Sequence, residues 1–244
     1  MTKKIFTFGD GYATNHLWPE WPAIIQALYS DYQHKNFAAI GAGNEYINNC
    51  IVDAHQQDNQ ALFLVQWAQF SRFDKLLQDD TWDNIINTDP VYHFNRVGDW
   101  WISSASRQPE VRYYHKFYVQ GKQAQLRSYN YIYMSAHLLN NNAIFFSTGD
   151  PGLTTQEQQK LLQVKWAPDM LQYAQHERFQ EIRQNEVQPS PQVHFSYVEE
   201  FLLPLMPAQP DQERLKELKT RIFQHKWRPY DPDRESIWAD ISNI

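Results

Sequence analysis

The sequence predicts an α/β fold: a three-layer, doubly wound parallel sheet with a helical insertion and a C-terminal helical tail. Three observations carry that expectation. Short runs of Ile, Phe, Leu and Val recur with little polar alternation, as in strands covered on both faces. Helical apolar periodicity fills the stretches between them, and parallel neighbours need such crossovers. Three of the four runs end in a cluster of Gly, Asp, Asn or Ser, where a parallel sheet would gather its loops on one edge. The 244 residues suffice for one large α/β domain with an appendage.

The first strand is Ile5–Phe8, stopped by Gly9-Asp10-Gly11. A helix is expected from Trp21 to Tyr32, with Ile24, Ile25, Leu28 and Tyr32 on one face. A second strand at Asn36–Ile40 ends in Gly41-Ala42-Gly43-Asn44, and Glu45–Ala54 reads as helix. Ala61–Val65 is the third strand and the most continuous apolar run. After Arg72 the pattern turns helical. A short element falls at Trp82–Ile86, and two helices fall within Trp100–Asn141, broken near Pro109 or Gly121.

Ala143–Ser147 is the fourth strand, closed by the turn signal Thr148-Gly149-Asp150-Pro151-Gly152. Thr154 or Thr155 is placed to cap a helix to Leu162, with Glu157 completing a capping box. Helices are expected at Met170–Gln184 and Gln192–Leu203, separated by Pro189-Ser190-Pro191. Pro204, Pro207 and Pro210 mark a linker. Asp211–His225 then forms a charged helix with Leu215, Leu218 and Ile222 in one stripe. Tyr230–Ile244 is expected to dock as a tail, and no fifth strand stands out. The division is thus one domain over 1–204, with its insertion at about 80–141, and a helical appendage over 205–244.

Composition excludes several classes. The net charge is −6 and no basic stripe is present, so nucleic acid is not an expected partner. Cys50 is the single cysteine, which rules out a disulfide framework and a thiolate zinc site. No two histidines stand at the i, i+4 spacing of a zinc helix, so no metal is expected. Gly9-Asp10-Gly11 is neither a P-loop nor a dinucleotide fingerprint, and no cofactor is expected. No segment approaches the roughly 18 apolar residues of a membrane span, and no leader-like apolar region opens the chain. A soluble, cytoplasmic protein is the expectation. The 9 Trp, 14 Tyr and 14 Phe fit bulky core packing or a surface for a small planar or glycan substrate. The C-terminal helix offers a stripe for packing on the domain or for association of copies.

In a parallel sheet, Asp10, Gly11, Gly43, Asn44 and Arg72 would converge at one crevice beyond the strand ends. Glycine lets backbone N–H groups approach a ligand, Asn44 could donate to an oxyanion, and Arg72 suits a carboxylate or phosphate. Turn chemistry accounts for the same Gly, Asn and Asp residues, and both readings stay open here.

The layout resembles the SGNH (GDSL-like) hydrolase superfamily in a divergent, flavodoxin-like form. Phe8-Gly9-Asp10-Gly11 matches the Gly-Asp-Ser opening, with Gly11 where the nucleophilic serine belongs. Ala39-Ile40-Gly41-Ala42-Gly43-Asn44-Glu45 is similar to the block that helps form the oxyanion hole. Val65 to Asp74 occupies the place of the third block without its asparagine. Glu186-Val187-Gln188-Pro189-Ser190-Pro191-Gln192-Val193-His194 resembles a C-terminal Asp-x-His-Pro-x-Pro-x-x-His, with Glu186 for the aspartate, Gln188 for the first histidine and His194 retained. The tryptophan and arginine pattern looks like a subgroup of surface-polysaccharide and phage-encoded proteins.

The resemblance implies an esterase or O-acyltransferase acting on an acetyl group of a glycan-like substrate. Gly11 carries no hydroxyl, so three routes remain. A neighbouring hydroxyl such as Thr14, Tyr12 or Ser71 replaces the serine. Alternatively, Asp10 or Glu186 acts as general base with His194. In the third, catalysis is lost and the crevice binds. The expected catalytic residues are Asp10, His194 and Glu186, and the expected binding residues are Gly11, Gly43, Asn44, Arg72 and Thr14. The competing expectation is a non-catalytic binding or assembly protein.

Overall fold

The computed structural model describes residues 3–15, 18–76, 94–97, 100–103, 121–153, 164–176, 180–183, 186–228 and 231–243. The first elements are β1 (Lys4–Phe8), α1 (Trp21–Leu28), β2 (Gln33–Asn36), α2 (Asn44–Gln57) and β3 (Leu62–Trp67). Next come β4 (Phe73–Leu76), β5 (Phe94–Val97), β6 (Trp100–Ser103), α3 (Gly121–Leu139) and β7 (Ala143–Ser147). Then follow β8 (Lys165–Trp166), α4 (Met170–His176), β9 (Gln180–Arg183) and β10 (Glu186–Gln188). The chain closes with α5 (Pro191–Tyr197), α6 (Gln212–Gln224) and α7 (Arg234–Ser242).

The fold is α/β around a five-stranded sheet in the order β2-β1-β3-β7-β8, with every pairing parallel. The strand order reverses direction between β1 and β3. Phe8 lies opposite Val65 and Trp67 opposite Ser147, so β1, β3 and β7 deliver their C-terminal ends to one edge. Side chains alternate along a strand, and here the alternation feeds two cores. Ile5, Leu64, Ile144 and Phe146 join Trp21, Ile24, Phe195, Leu218 and Ile222 in one cluster. Phe6, Phe8, Phe63, Val65 and Phe145 join Tyr46, Ile47, Ile51 and Ile132 in the other. In this second cluster Phe8 stacks between Phe37 and Phe63, with ring centroids 5.0 and 5.8 Å away.

Several sequence expectations need correction. The second strand lies at Gln33–Asn36, earlier than Asn36–Ile40. It is an edge strand with mostly exposed side chains, so it needs no apolar run. Phe37 and Ala39 instead leave the strand and enter the second core. Helix α1 ends at Leu28 rather than at Tyr32. A fifth strand exists, but β8 is two residues long and carries no readable pattern.

The insertion is not wholly helical. Strands β4, β6 and β5 form an antiparallel sheet in that order, and among the described residues α3 is the helix of this region. Within the helix expected from Met170 to Gln184, α4 spans Met170–His176, and Gln180–Arg183 is instead strand β9, paired antiparallel with β10. The elements expected at Trp82–Ile86, around Pro109, and from Thr154 or Thr155 to Leu162 lie outside the described residues. Helix α6 is N-capped by Asp211, whose side chain accepts the Arg214 N–H at 2.8 Å. Its Leu218 and Ile222 sit fully buried in the same cluster as α1.

Candidate functional site

Asp10 is the hinge of the strand edge. It follows β1, is fully buried, and caps the single turn Gly11–Ala13. Its Oδ1 accepts the Tyr12 N–H at 3.1 Å and the Gln66 amide at 2.6 Å. Its Oδ2 lies 2.9 Å from the Arg72 guanidinium and accepts the Thr148 hydroxyl at 3.4 Å. Donors from three strand ends therefore converge on one carboxylate. Gln66 is the polar break in β3, and both ends of its amide are used: its oxygen accepts the Trp21 indole N–H at 2.6 Å. A buried polar network that is fully engaged rigidifies what it joins.

Gly11 differs from its neighbour Gly9. A Cβ at Gly9 would meet the Ala13 Cβ at 2.8 Å, whereas one at Gly11 would meet nothing within 4 Å. The backbone at Gly11 thus leaves open space next to Asp10. Thr14 turns its hydroxyl back to donate to the Gly11 carbonyl at 3.2 Å.

The N-terminus of α2 is capped from another part of the chain. Asp74, on β4, accepts the Gly43 N–H at 2.8 Å and the Tyr46 N–H at 2.9 Å. These are two of the donors a helix leaves unpaired at its start. Burial pushes the Asp74 carboxyl up to about 7; the Glu45 charge adds to the rise, while the two N–H bonds and Arg72 oppose it. A Cβ at Gly43 would stand 2.7 Å from the Asp74 carboxylate, so glycine is required for this close approach.

Asn44 is committed on both sides of its amide. It donates to the Ala68 carbonyl at 3.0 Å and to Ser128 Oγ at 2.5 Å, and accepts the Ala68 N–H at 2.9 Å. Arg72 keeps 22% of its side chain exposed. It borders a small cavity of about 20 Å³ with Asn44, Glu45, Asp74, Arg127 and Tyr131. That is room for about one water molecule. Burial and the neighbouring Glu45 push the Tyr131 phenol up to about 12.

The structure thus brings Asp10, Arg72, Gly43 and Asn44 to one region and leaves His194 apart from their hydrogen-bond network. His194 lies on α5, is fully buried, and neither ring nitrogen has a hydrogen-bond partner. Burial pulls its imidazole down to about 3, so the ring is neutral. Glu186 opens β10, opposite Arg183 in the hairpin, and its side chain lies outside the described residues. Gln66, Asp74 and Thr148 were not among the expected site residues. A polar residue inside a buried run was the readable signal for Gln66. Asp74 stood two positions past Arg72.

Comparison of the chain with protein-family models, with curated proteins and with solved structures finds no match in any of the three. Among the described residues, no helix is long and apolar enough to cross a membrane.

Proposed function

We propose that this chain is a divergent SGNH-like protein that binds, rather than hydrolyses, an acyl- or carboxyl-bearing glycan-like ligand at the strand edge above Gly11 and Arg72. The observation that carries this reading is the state of Asp10. Both its oxygens already hold donors, and the residue beside it has no nucleophile. The neutral, buried His194 likewise has no partner with which to relay a proton. The open space beside Gly11 and the partly exposed Arg72 remain for contact. A doubly wound, three-layer arrangement belongs to the same reading, supported by the strand order and by the two cores fed from alternate strand positions. So does a reducing, cytoplasmic setting, supported by the single cysteine.

A second reading, an esterase or O-acyltransferase, has one observation in its favour. Burial raises the Asp74 carboxyl to about 7 beside Arg72, in the range that suits a general base, and a base role would use the lone pairs left after it accepts the Gly43 and Tyr46 N–H groups. The test measures acetate release from acetylated glycans and from a chromogenic acetyl ester, with binding of the acetylated oligosaccharide followed in parallel. Binding without turnover in the wild type, unchanged in His194→Leu and weakened about tenfold in Arg72→Ala, is expected for loss of one charged contact. Acetate release that disappears in Asp74→Asn would replace the binding reading with the enzymatic one.

A further inference from the structure

A groove of about 420 Å³ opens where α1, the start of β2, α6 and α7 meet, and its wall includes Ser30, Tyr32, His34, Arg214, Glu235 and Trp238. This volume lies within the roughly 300–1,000 Å³ of small-molecule sites. It is far larger than the 20 Å³ cavity beside Arg72. The groove is also separate from the Asp10 edge. His34 pairs in register with Ile5, near the beginning of β1, whereas Asp10 follows the end of that strand.

The wall combines rings with directional polar groups. Trp238 is half-buried on α7, and Tyr32 also lines the wall, with Lys3 Nζ 5.2 Å from the Tyr32 ring centroid. His34 Nε2 lies 3.1 Å from the Tyr29 carbonyl oxygen. A carbonyl only accepts, so Nε2 carries the proton and Nδ1 is left as an acceptor. Burial lowers the His34 pKa and favours that neutral ring. Arg214 donates from one terminal nitrogen to Ser30 Oγ at 2.6 Å, while its Nε is buried without a hydrogen-bond partner. Ser30, used there as an acceptor, keeps its own proton to donate.

The lining itself carries one charge of each sign, Arg214 and Glu235, while Arg234, 4.0 Å from Glu235, and Lys3 stand outside it. A phosphate or nucleotide would require an excess of cationic donors, and a lipid tail would leave the polar wall unpaired. A neutral sugar meets each feature. Its C–H face covers an aromatic ring, and each hydroxyl needs both a donor and an acceptor.

We propose that this groove binds a neutral sugar residue, stacked on Trp238, with its hydroxyls shared among His34, Ser30 and Arg214. The site is independent of the ligand proposed at the strand edge.

The experiment titrates the full chain with neutral trisaccharides built from glucose, galactose, mannose or N-acetylglucosamine. Concentrations reach about 10 mM, enough to populate a millimolar site. Indole N–H signals are followed by NMR, with Trp238 assigned through Trp238→Phe. The expected result is a saturable shift of the Trp238 signal by at least one sugar. Affinity should fall about tenfold or more in Trp238→Ala, the size of a lost ring contact, and comparably in His34→Ala. The His34 variant carries the test if Trp238→Ala fails to fold. No shift at Trp238 with any of the four sugars would overturn the proposal. Unchanged affinity in the folded variants would do the same.

Discussion

His194 and Asp74 are buried ionisable groups whose protons pull stability in opposite directions. In the unfolded chain histidine titrates near 6.5 and aspartate near 3.9. Folding lowers His194 to about 3. Between those values the unfolded chain holds a proton that the folded chain refuses, so stability rises with pH, by up to about 1.4 kcal/mol per unit. Folding raises Asp74 to about 7. Between about 4 and 7 the folded chain keeps a proton that the unfolded chain has lost, so this contribution is lost as pH rises. Glu20, fully buried and also raised, acts in the same sense as Asp74. Urea unfolding of His194→Leu at about pH 4.5 and 6 is expected to show stability falling with pH relative to wild type, because the compensating histidine is gone. Asp74→Asn should shift the slope the other way. At neutral pH, His194→Leu removes two unpaired buried nitrogens and should stabilise by about 1 kcal/mol. An identical slope in both variants and wild type would refute these protonation assignments.

At the scale of elements, α6 is where a short pattern proved sufficient. The Leu215, Leu218, Ile222 stripe was legible, and its last two members are fully buried against α1 and α5. Ile222→Ala should therefore cost about 2–5 kcal/mol, the range for an emptied core position. Circular dichroism and tryptophan fluorescence should report one shared transition, since Trp21 and Trp227 lie in the same cluster. Two separated transitions would make α6 an independent unit. Strands β3 and β7 were legible for the same reason: burial on both faces demands continuous apolar residues. Strands β2 and β8 were not, because backbone pairing alone makes a short edge strand and leaves its side chains unconstrained. Strand β6 was masked by its aromatics, which suit a helix or a strand equally well. In the site, Asp10 and Arg72 were legible as residues following strands. The role of Asn44 was not, because its engagement by Ala68 and Ser128 joins residues far apart in sequence. Nor could sequence reveal that His194 packs without a partner, since helix position alone does not say what surrounds a side chain.

At the scale of the whole molecule, the sheet keeps two depressions at different ends of its strands. The Asp10 network fixes the C-terminal edge by tying β1, β3 and β7 together. The groove near His34 depends instead on α6 and α7 being docked beside α1. The parallel sheet also has two outer strands, and a bare outer strand is a template for another chain to pair with. Among the described residues, β2 has four residues and β8 two, too little backbone for a long register. Each also carries a lysine, Lys35 and Lys165, both exposed. A stranger pairing with β2 would have to desolvate the Lys35 ammonium, which donates to Gln57 at 3.2 Å and lies over the Phe37 ring. Lys35→Val should leave the unfolding midpoint nearly unchanged while light scattering reveals faster self-association in concentrated solution. The lysine at the margin of this sheet thus acts on solubility, as a guard against the chain recruiting copies of itself into aggregates.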